Sequence, residues 1–534
     1  MPSRPVAINL PDVIVVGCGA GGAVVAKELA EAGLGVVVLE AGLWHDPAID
    51  FNGLEWDMTN GIDSVFRWGP SDRTKPPWPR IREGLASIPH AAGVGGTTLL
   101  SGCNSPRAYP EAVNREWPIP YAELVPYYRR VEAALPVAVA DVVTRKDELF
   151  IRGCEGSSLP FVAGPDVVGA GWRMQPNAIL PVARVAEPLQ YPATDGCTQC
   201  GECRVGCRHP AGAPLERTAK RSTNASYAPL ATATGRCEIR TGCFSTSVIT
   251  EQTRDGLRAR GVRYRDGRGH VLEQDCRVVV LAGGAIESPR LWFASGLPAV
   301  PAAGRYLTTH WFEYVSGEFD RPVDISAGQT SMVRAEFPGL GHVETAGLRP
   351  LDFALSSFAG RSGVRGGGPW ASRGGLIGNA LKRKMDAYER SMTLVAGVDD
   401  DALAHNGVGL SSETSDENNP APIIRYRPNA ATEARREVLV RKAAEILLAA
   451  GARPETVHRA DALPSGAHVH GTLRMGSDPG SSVLDDACEA HLVKRLFAAD
   501  TSVFPNSLGG ANPQLTAQAL ASRTAEKVVE RYFG

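Results

Sequence analysis

The stretch from Asp12 to Glu40 restricts the fold of this chain more than any other. Val13 to Val16 is a continuous apolar run, the composition of a strand buried on both faces. It breaks into Gly17, Gly19 and Gly22, spaced Gly-x-Gly-x-x-Gly. A helical pattern follows from Ala23 to Ala32 and stops at Gly33, and a second apolar strand ends at Glu40. Gly17 permits a tight turn, Gly19 lets the backbone approach a pyrophosphate, and Gly22 lets helix and strand pack closely. The helix N-terminus offers unpaired N–H groups and positive dipole to phosphates. Glu40 stands where a carboxylate accepts from a ribose 2′-hydroxyl, which disfavours a 2′-phosphate and hence NADP. Strand, helix, strand and terminal acid in register predict a dinucleotide site in an α/β fold.

At 534 residues the chain can build two or more lobes. A formal net charge of −2 gives no reason to expect nucleic acid or an anionic membrane as partner. No apolar run is long enough to cross a bilayer, and Met1 to Pro11 lacks a basic region followed by an apolar stretch. The expectation is a cytoplasmic protein whose eleven cysteines are mostly reduced.

Residues Leu43 to Ser87 have no sustained period and read as an irregular excursion. Gly93 to Thr98 is rich in small residues, which suits either a loop whose backbone approaches a ligand or a simple turn. Helices are predicted over Trp117–Ala134 and Ser222–Thr234. Strands are predicted around Ile239 and Val248, and a hairpin joins Gly261–Tyr264 to Val271-Leu272. A buried strand ends at Leu281, and the helix after it is expected to start near Ser288-Pro289. From Trp311 to about Pro464 the texture changes to strand-like segments, Met392–Val398 and Ile423–Tyr426, with a flexible-looking linker at Gly363–Gly375. The amphipathic helix Ala431–Ala450 closes this part, which reads as an inserted second lobe. Leu496 to Asp500 and a helix from Thr516 to Tyr532 return to the first lobe.

Cys197, Cys200, Cys203 and Cys207 are spaced C-x2-C-x2-C-x3-C and followed by His209-Pro210. Three readings stay open: an iron–sulfur cluster, disulfides or free thiols bracing a loop, and zinc. In ferredoxins the fourth cysteine of such a run ligates a different cluster, so one loop supplies only three ligands, and the spacing is tight for a zinc tetrahedron.

Four segments together resemble the glucose–methanol–choline (GMC) oxidoreductase family of flavoenzymes. They are Gly17 to Glu40; Gly93 to Thr98; Gly284 to Trp292, running to Ser295-Gly296; and His468 to Gly476, continuing through Ala499 to Pro505 and Asn512-Pro513. Trp292 departs from the family's usual aliphatic residue. The resemblance implies a Rossmann-type FAD-binding domain assembled from 1–110, 220–310 and 465–534. A connection, 111–219, would carry the cysteine loop 197–207, and an antiparallel-sheet substrate-binding domain would occupy 311–464. It implies oxidation of an alcohol CH–OH group to aldehyde or ketone, with hydride passing to flavin N5. His468 falls on the family's catalytic histidine, Asn512 on its partner position, and His470 where many members carry an aliphatic residue. His310 falls where the family enters its substrate lobe. Gly95, Gly96 and Thr97 fall on the loop beside the flavin, and Asp500 near the ribityl or pyrophosphate. Leu100 sits where members with covalent flavin have histidine, so noncovalent FAD is expected.

A histidine with pKa near neutrality suits removal of the hydroxyl proton, and an asparagine can hold the same oxygen as it becomes an alkoxide. Two other functions stay open: a lyase of the same fold that binds FAD without cycling it, and an electron-transfer or binding subunit with no substrate of its own. Oxygen or another acceptor, and sugar, aminosugar, sterol or other alcohol as substrate, also stay open. Asp399-Asp400-Asp401 reads either as a contact for a cationic sugar or as a solvated face.

Overall fold

The structure, a computed structural model, describes residues 8–45, 50, 72–75, 78, 80–81, 87–181, 196–207, 218–350, 353–354, 378–416, 419–459 and 466–534. The Gly363–Gly375 linker, His209-Pro210 and part of the Leu43–Ser87 stretch lie outside them.

The apolar runs Val13–Val16, Val36–Leu39 and Val278–Leu281 are buried along their whole length. They pair in parallel, Val13 opposite both Val36 and Val278. Leu496–Ala498 and Cys237–Arg240 add the two edges, giving a five-stranded parallel sheet. Its strands come from distant parts of the chain, and no single segment completes it. Helix Ala20–Glu31 packs between the helices Tyr227–Ala233 and Pro513–Tyr532. Close approach explains the glycines. A Cβ on Gly22 would lie 2.1 Å from the Gly17 carbonyl oxygen, and one on Gly21 would lie 1.7 Å from that of Ala499.

The second layer is a six-stranded antiparallel sheet. Its order is His458–Arg459, Trp311–Glu318, Ser391–Val398, Gly341–Thr345, Val333–Phe337 and Gly171–Met174. Gly171–Met174 comes from the stretch expected to be a connection, so that stretch supplies an edge strand. Helices Ala430–Ala449 and Arg145–Gly156 cover the sheet and share its core, with Phe150, Leu394, Leu439 and Ile446 buried together. A three-stranded antiparallel sheet, Phe244–Thr253, Gly256–Arg265 and Val271–Asp275, packs beside the parallel one. Among the described residues no helix is long and apolar enough to cross a membrane.

Three boundaries differ from expectation. The helix expected over Trp117–Ala134 starts at Tyr121, after Pro118 and Pro120, and a separate helix, Pro110–Glu116, precedes it. The expected Ser222–Thr234 helix is helical only over Tyr227–Ala233, because Thr223 turns back to meet the Thr98 hydroxyl. The helix expected to begin near Ser288 spans Gly284–Ala294, with Pro289 inside. Pro289 has no N–H for the carbonyl of Ala285, and the Thr472 hydroxyl donates to that carbonyl instead, at 2.7 Å.

Gly22→Ala should destabilise the protein by about 1–3 kcal/mol through overpacking of helix against turn. It is read as a lower Tm, and a variant with the parent's Tm would remove the close-packing role assigned to this glycine.

Candidate active site

A cavity of about 470 Å3 opens at the carboxyl ends of the parallel strands, the edge at which such sheets bind ligands. Gly17 and Gly19 follow the first strand, Glu40 the second, Gly283 and Gly284 the fourth in chain order, and Asp500 the last; all six line the cavity. Gly17, at φ +100°, makes the turn that only glycine adopts without strain. Glu40 is buried, and Oε1 accepts from the N–H groups of Gly42 (2.8 Å) and Gly93 (2.9 Å), Oε2 from that of Cys18 (2.7 Å). Burial pushes its carboxyl up, and these N–H groups pull it back. Oε2 keeps a lone pair for a ribose hydroxyl.

The Gly93–Thr98 loop crosses over this turn. Gly95 donates to the Cys18 carbonyl at 2.8 Å. A Cβ on Gly96 would stand 2.8 Å from the Gly19 Cα, so the two glycine backbones face each other across the mouth, with Thr97 beside them. Asp500 binds three groups on two segments: Oδ2 accepts from the Gly284 N–H (2.8 Å) and the Ser288 hydroxyl (2.5 Å), and Oδ1 from the Ser502 N–H (2.7 Å). A glycine backbone for a pyrophosphate, a carboxylate with free capacity for a ribose and a cavity of this size fit FAD.

A group of histidines lies where the two lobes meet. His310 is fully buried. Its Nε2 lies 2.8 Å from the Ser507 carbonyl oxygen and its Nδ1 2.8 Å from Nδ1 of His468. Burial lowers the His310 pKa to about 4; the Ser507 carbonyl opposes this and Arg334 adds to it. The ring is therefore neutral at ordinary pH. A carbonyl can only accept, so the single proton of His310 sits on Nε2 and its Nδ1 is a lone pair. Nδ1 of His468 must then be the donor, which leaves Nε2 of His468 unprotonated. Burial, then His310, His470 and Arg334, hold the His468 pKa well below the ordinary value.

His470 is buried with Nδ1 3.3 Å from the Thr308 hydroxyl, its ring beside Phe504 and His310, and no hydrogen-bond partner for Nε2 among the described residues. Asn512, just before the helix Pro513–Tyr532, is buried, and its Oδ1 accepts from Nη1 of Arg334. That bond assigns the amide: oxygen towards the guanidinium, Nδ2 away from it.

Sequence reasoning missed Arg334. It lies in Val333–Phe337 with no exposed surface, and no motif surrounds it. Only the unusual Arg-x-Glu alternation in a strand buried throughout signals it.

The cysteine loop packs against the segment that follows Thr98. Buried Lys220 donates to the carbonyls of Leu99 (2.8 Å) and Cys203 (2.7 Å). Cys197 and Cys203 are buried and Cys200 is exposed; none of the three is in a disulfide. Burial pushes the Cys197 thiol up to about 12. Among the described residues, which include Cys197, Cys200, Cys203 and Cys207, no group of three or more His, Cys, Asp or Glu side chains is placed to hold a metal ion. The iron–sulfur and zinc readings gain no support from this arrangement.

The acidic run is not a solvated face. Asp399 accepts from the Ser507 hydroxyl, and Asp400 from the Thr309 N–H (3.1 Å) and the Tyr426 hydroxyl (2.8 Å). Asp401 pairs with Arg435 at 2.6 Å. Burial lifts Asp400 to about 7, and both Asp399 and Asp400 serve the loop that holds His310.

Replacing Asp500 by Asn turns one acceptor into a donor facing N–H or O–H groups. An unsatisfied buried group costs about 1–3 kcal/mol. Asp500→Asn should therefore bind FAD at least several-fold more weakly in a flavin fluorescence titration; undiminished affinity would remove Asp500 from the cofactor site.

Family models described as GMC oxidoreductase match residues 184–312 and 402–521. The chain is 27% identical to 6′′′-hydroxyparomomycin C oxidase of Streptomyces lividus and 28% identical to paromamine 6′-oxidase of Streptomyces fradiae. Each alignment covers 97% of this chain and 91% of the relative. Among solved structures, formate oxidase superposes with a TM-score of 0.69 at 13% identity, over 98% of this chain and 99% of that one, a likeness of fold. The matched segments hold the Gly284–Gly296 stretch and the His468–Asn512 region, and the chain belongs to the GMC oxidoreductase family.

Proposed function

We propose that this protein is an FAD-dependent oxidoreductase that converts an alcohol CH–OH group to an aldehyde or ketone, with His468 as base and Asn512 holding the reacting oxygen. The observation that carries the reading is the His310–His468 contact, 2.8 Å between two Nδ1 atoms, with His310 fixed from behind by the Ser507 carbonyl. This order of donors and acceptors presents Nε2 of His468 as a lone pair.

The alcohol proton moves to Nε2 of His468, and the oxygen it leaves gains negative charge. Nδ2 of Asn512, turned away from Arg334, donates to that oxygen. The Nδ1 lone pair of His310 continues to accept from His468 as its ring becomes cationic. Bound FAD would supply the hydride acceptor, cradled by Gly17, Gly19, Gly22, Glu40, Gly95, Gly96, Thr97 and Asp500. Leu100 offers no nucleophile for attachment, which supports noncovalent binding. The boundaries 1–110, 220–310 and 465–534 for the FAD-binding part, and 311–464 for the substrate-binding part, belong to the same proposal.

Two relatives are named for oxidation of aminoglycosides. A hydroxyl on an aminosugar is therefore the first substrate class to test, and dioxygen the first acceptor.

The test is anaerobic mixing of the FAD-loaded protein with a panel of alcohols that includes aminosugars. Flavin absorbance near 450 nm should bleach with at least one of them, on the order of the loss seen with dithionite. His468→Gln should slow bleaching by about 10²–10⁴-fold while FAD stays bound. The acid limb of the bleaching rate should lie below the ordinary histidine pKa of about 6.5, because His468 is held unprotonated down to lower pH. A panel that leaves the flavin oxidised while substrate is cleaved would sink the oxidoreductase reading in favour of a lyase.

A further inference from the structure

Arg334 has no exposed surface, yet its guanidinium is aimed at the catalytic loop. Nη1 donates to Oδ1 of Asn512, Nη2 to the Gly510 carbonyl (3.1 Å) and Nε to Oε1 of Glu336 (2.8 Å). Glu336 also takes Nε of Arg173 at 2.9 Å and the Tyr109 hydroxyl. Two buried guanidinium groups thus share one firm carboxylate. Burial works to raise the Glu336 pKa, but Arg334 and Arg173 outweigh it and keep it ionised. The other acid in reach, Glu344, stands 3.7 Å from Nη1, and burial pushes its carboxyl up, towards the neutral form. After burial, the Arg334 charge adds to the lowering of the pKa values of His310, His342 and His468.

We infer that Arg334 is a positioning residue for alcohol oxidation: it fixes the Asn512 amide with Nδ2 towards the reacting oxygen and sets a positive field in which an alkoxide forms. The inference rests on the proposed function above, in which Asn512 holds that oxygen. An unclamped asparagine can turn its carbonyl to the alkoxide as readily as its NH2, and a carbonyl would repel the charge. The clamp removes that choice before substrate arrives, which is the sense in which preorganised donors act. Lysine carries the charge but not the planar fork that reaches Asn512, Gly510 and Glu336 together.

The test uses the FAD-loaded full chain carrying Arg334→Met, Arg334→Lys, Asn512→Ala and Arg334→Met with Asn512→Ala. Stripping Arg334 alone leaves Glu336 paired with Arg173, which bonds the same Oε1 at 2.9 Å, but takes away the nearer of its two buried cations. Arg334→Gln, neutral but able to hydrogen-bond Glu336, keeps the comparison available if Arg334→Met fails to fold. Anaerobic stopped-flow reads the limiting rate of bleaching and the alcohol concentration at half saturation. Arg334→Met should lower the limiting rate by roughly 10²-fold with half saturation nearly unchanged, and its acid limb should move to higher pH, as removal of a neighbouring cation raises the His468 pKa. Arg334→Lys should keep the acid limb near the parent's while recovering only part of the rate. On the Asn512→Ala background the same Met substitution should cost less than about threefold, because both changes remove one unit.

Full additivity of the two losses, or an unchanged limiting rate with an unmoved acid limb, would overturn the inference. NMR titration of 15N-histidine-labelled protein, with no alcohol present, separates it from the function itself. If no alcohol bleaches the parent, the oxidation reading has failed. The field of Arg334 is still decided by whether the histidine pKa values rise in Arg334→Met; unmoved values there refute it.

Discussion

The loop from Ser507 to Asn512 carries the contacts on which the rest of the site depends. Its Ser507 carbonyl fixes His310, its Gly510 carbonyl receives Arg334, and its last residue is the clamped asparagine. To bring these groups within six residues the backbone turns left-handed at Leu508 (φ +63°), Gly509 (+75°) and Gly510 (+98°). Leu508 pays for that conformation with about 1–2 kcal/mol of strain, offset by complete burial of its side chain and by backbone bonds to Asn506 Oδ1 (3.1 Å) and from Tyr109 N–H (3.1 Å). The glycines have no substitute. A Cβ on Gly510 would stand 2.7 Å from the Gly341 Cα, and one on Gly509 2.8 Å from the Tyr109 ring. The loop is wedged between the parallel-sheet lobe and the antiparallel sheet, so the shape of that junction decides where base and amide stand.

The electrostatics of the junction follow from the same packing. Burial lowers the pKa values of His310, His342, His468 and His470, and the Arg334 charge adds to this for the first three. Low basicity weakens a base in the ground state but ensures that it is always in its accepting form. The part of this weakness that comes from Arg334 is offset at the other end of the proposed proton transfer, because a positive charge that disfavours an imidazolium favours an alkoxide. Neutral His310 behind His468 suits this balance. A carboxylate in its place would make His468 more basic and cancel part of the field acting on the substrate oxygen.

Much of this was legible in the sequence, and the limits have physical causes. The glycine turn and Glu40 are local: strand, turn, helix and acid lie within one supersecondary unit, and each behaves as its spacing requires. His468 and Asn512 were reached through motifs, and what made them legible was a family pattern. Arg334 was not legible, because its meaning lies in Asn512, 178 positions away, and because a strand read as Val-Arg-Ala-Glu-Phe looks half exposed by its period-two alternation. Burial of both faces, with the charges paired inside the sheet, overrides that signal. Asp399-Asp400-Asp401 misled for the same reason: adjacent acids look solvated until Ser507, Tyr426, Thr432 and Arg435 are found around them. Pro289 marked a helix start by local rule, and a hydroxyl from Thr472 relieved the defect that the rule assumes.

The parallel sheet has a consequence for how the cofactor site comes into being. Gly17 to Glu40 can form its turn early in the chain, but the cavity wall needs Gly284 and Asp500, and Asp500 ties the Leu496–Ala498 edge to the Gly284–Ala294 helix through Gly284 and Ser288. Gly21 packs against the Ala499 carbonyl, so the seat of the first helix is completed by the segment that follows the last strand. A ligand that binds only the assembled cavity stabilises the assembly by mass action, by about 2.7 kcal/mol at a hundredfold excess over its Kd. The same closure draws Asn512, twelve residues beyond Asp500 in sequence, to the Arg334 strand. The wall of the cavity and the setting of the Asn512 amide are thus joined through one short C-terminal segment, and the reactive geometry proposed for this site needs both ends of the chain.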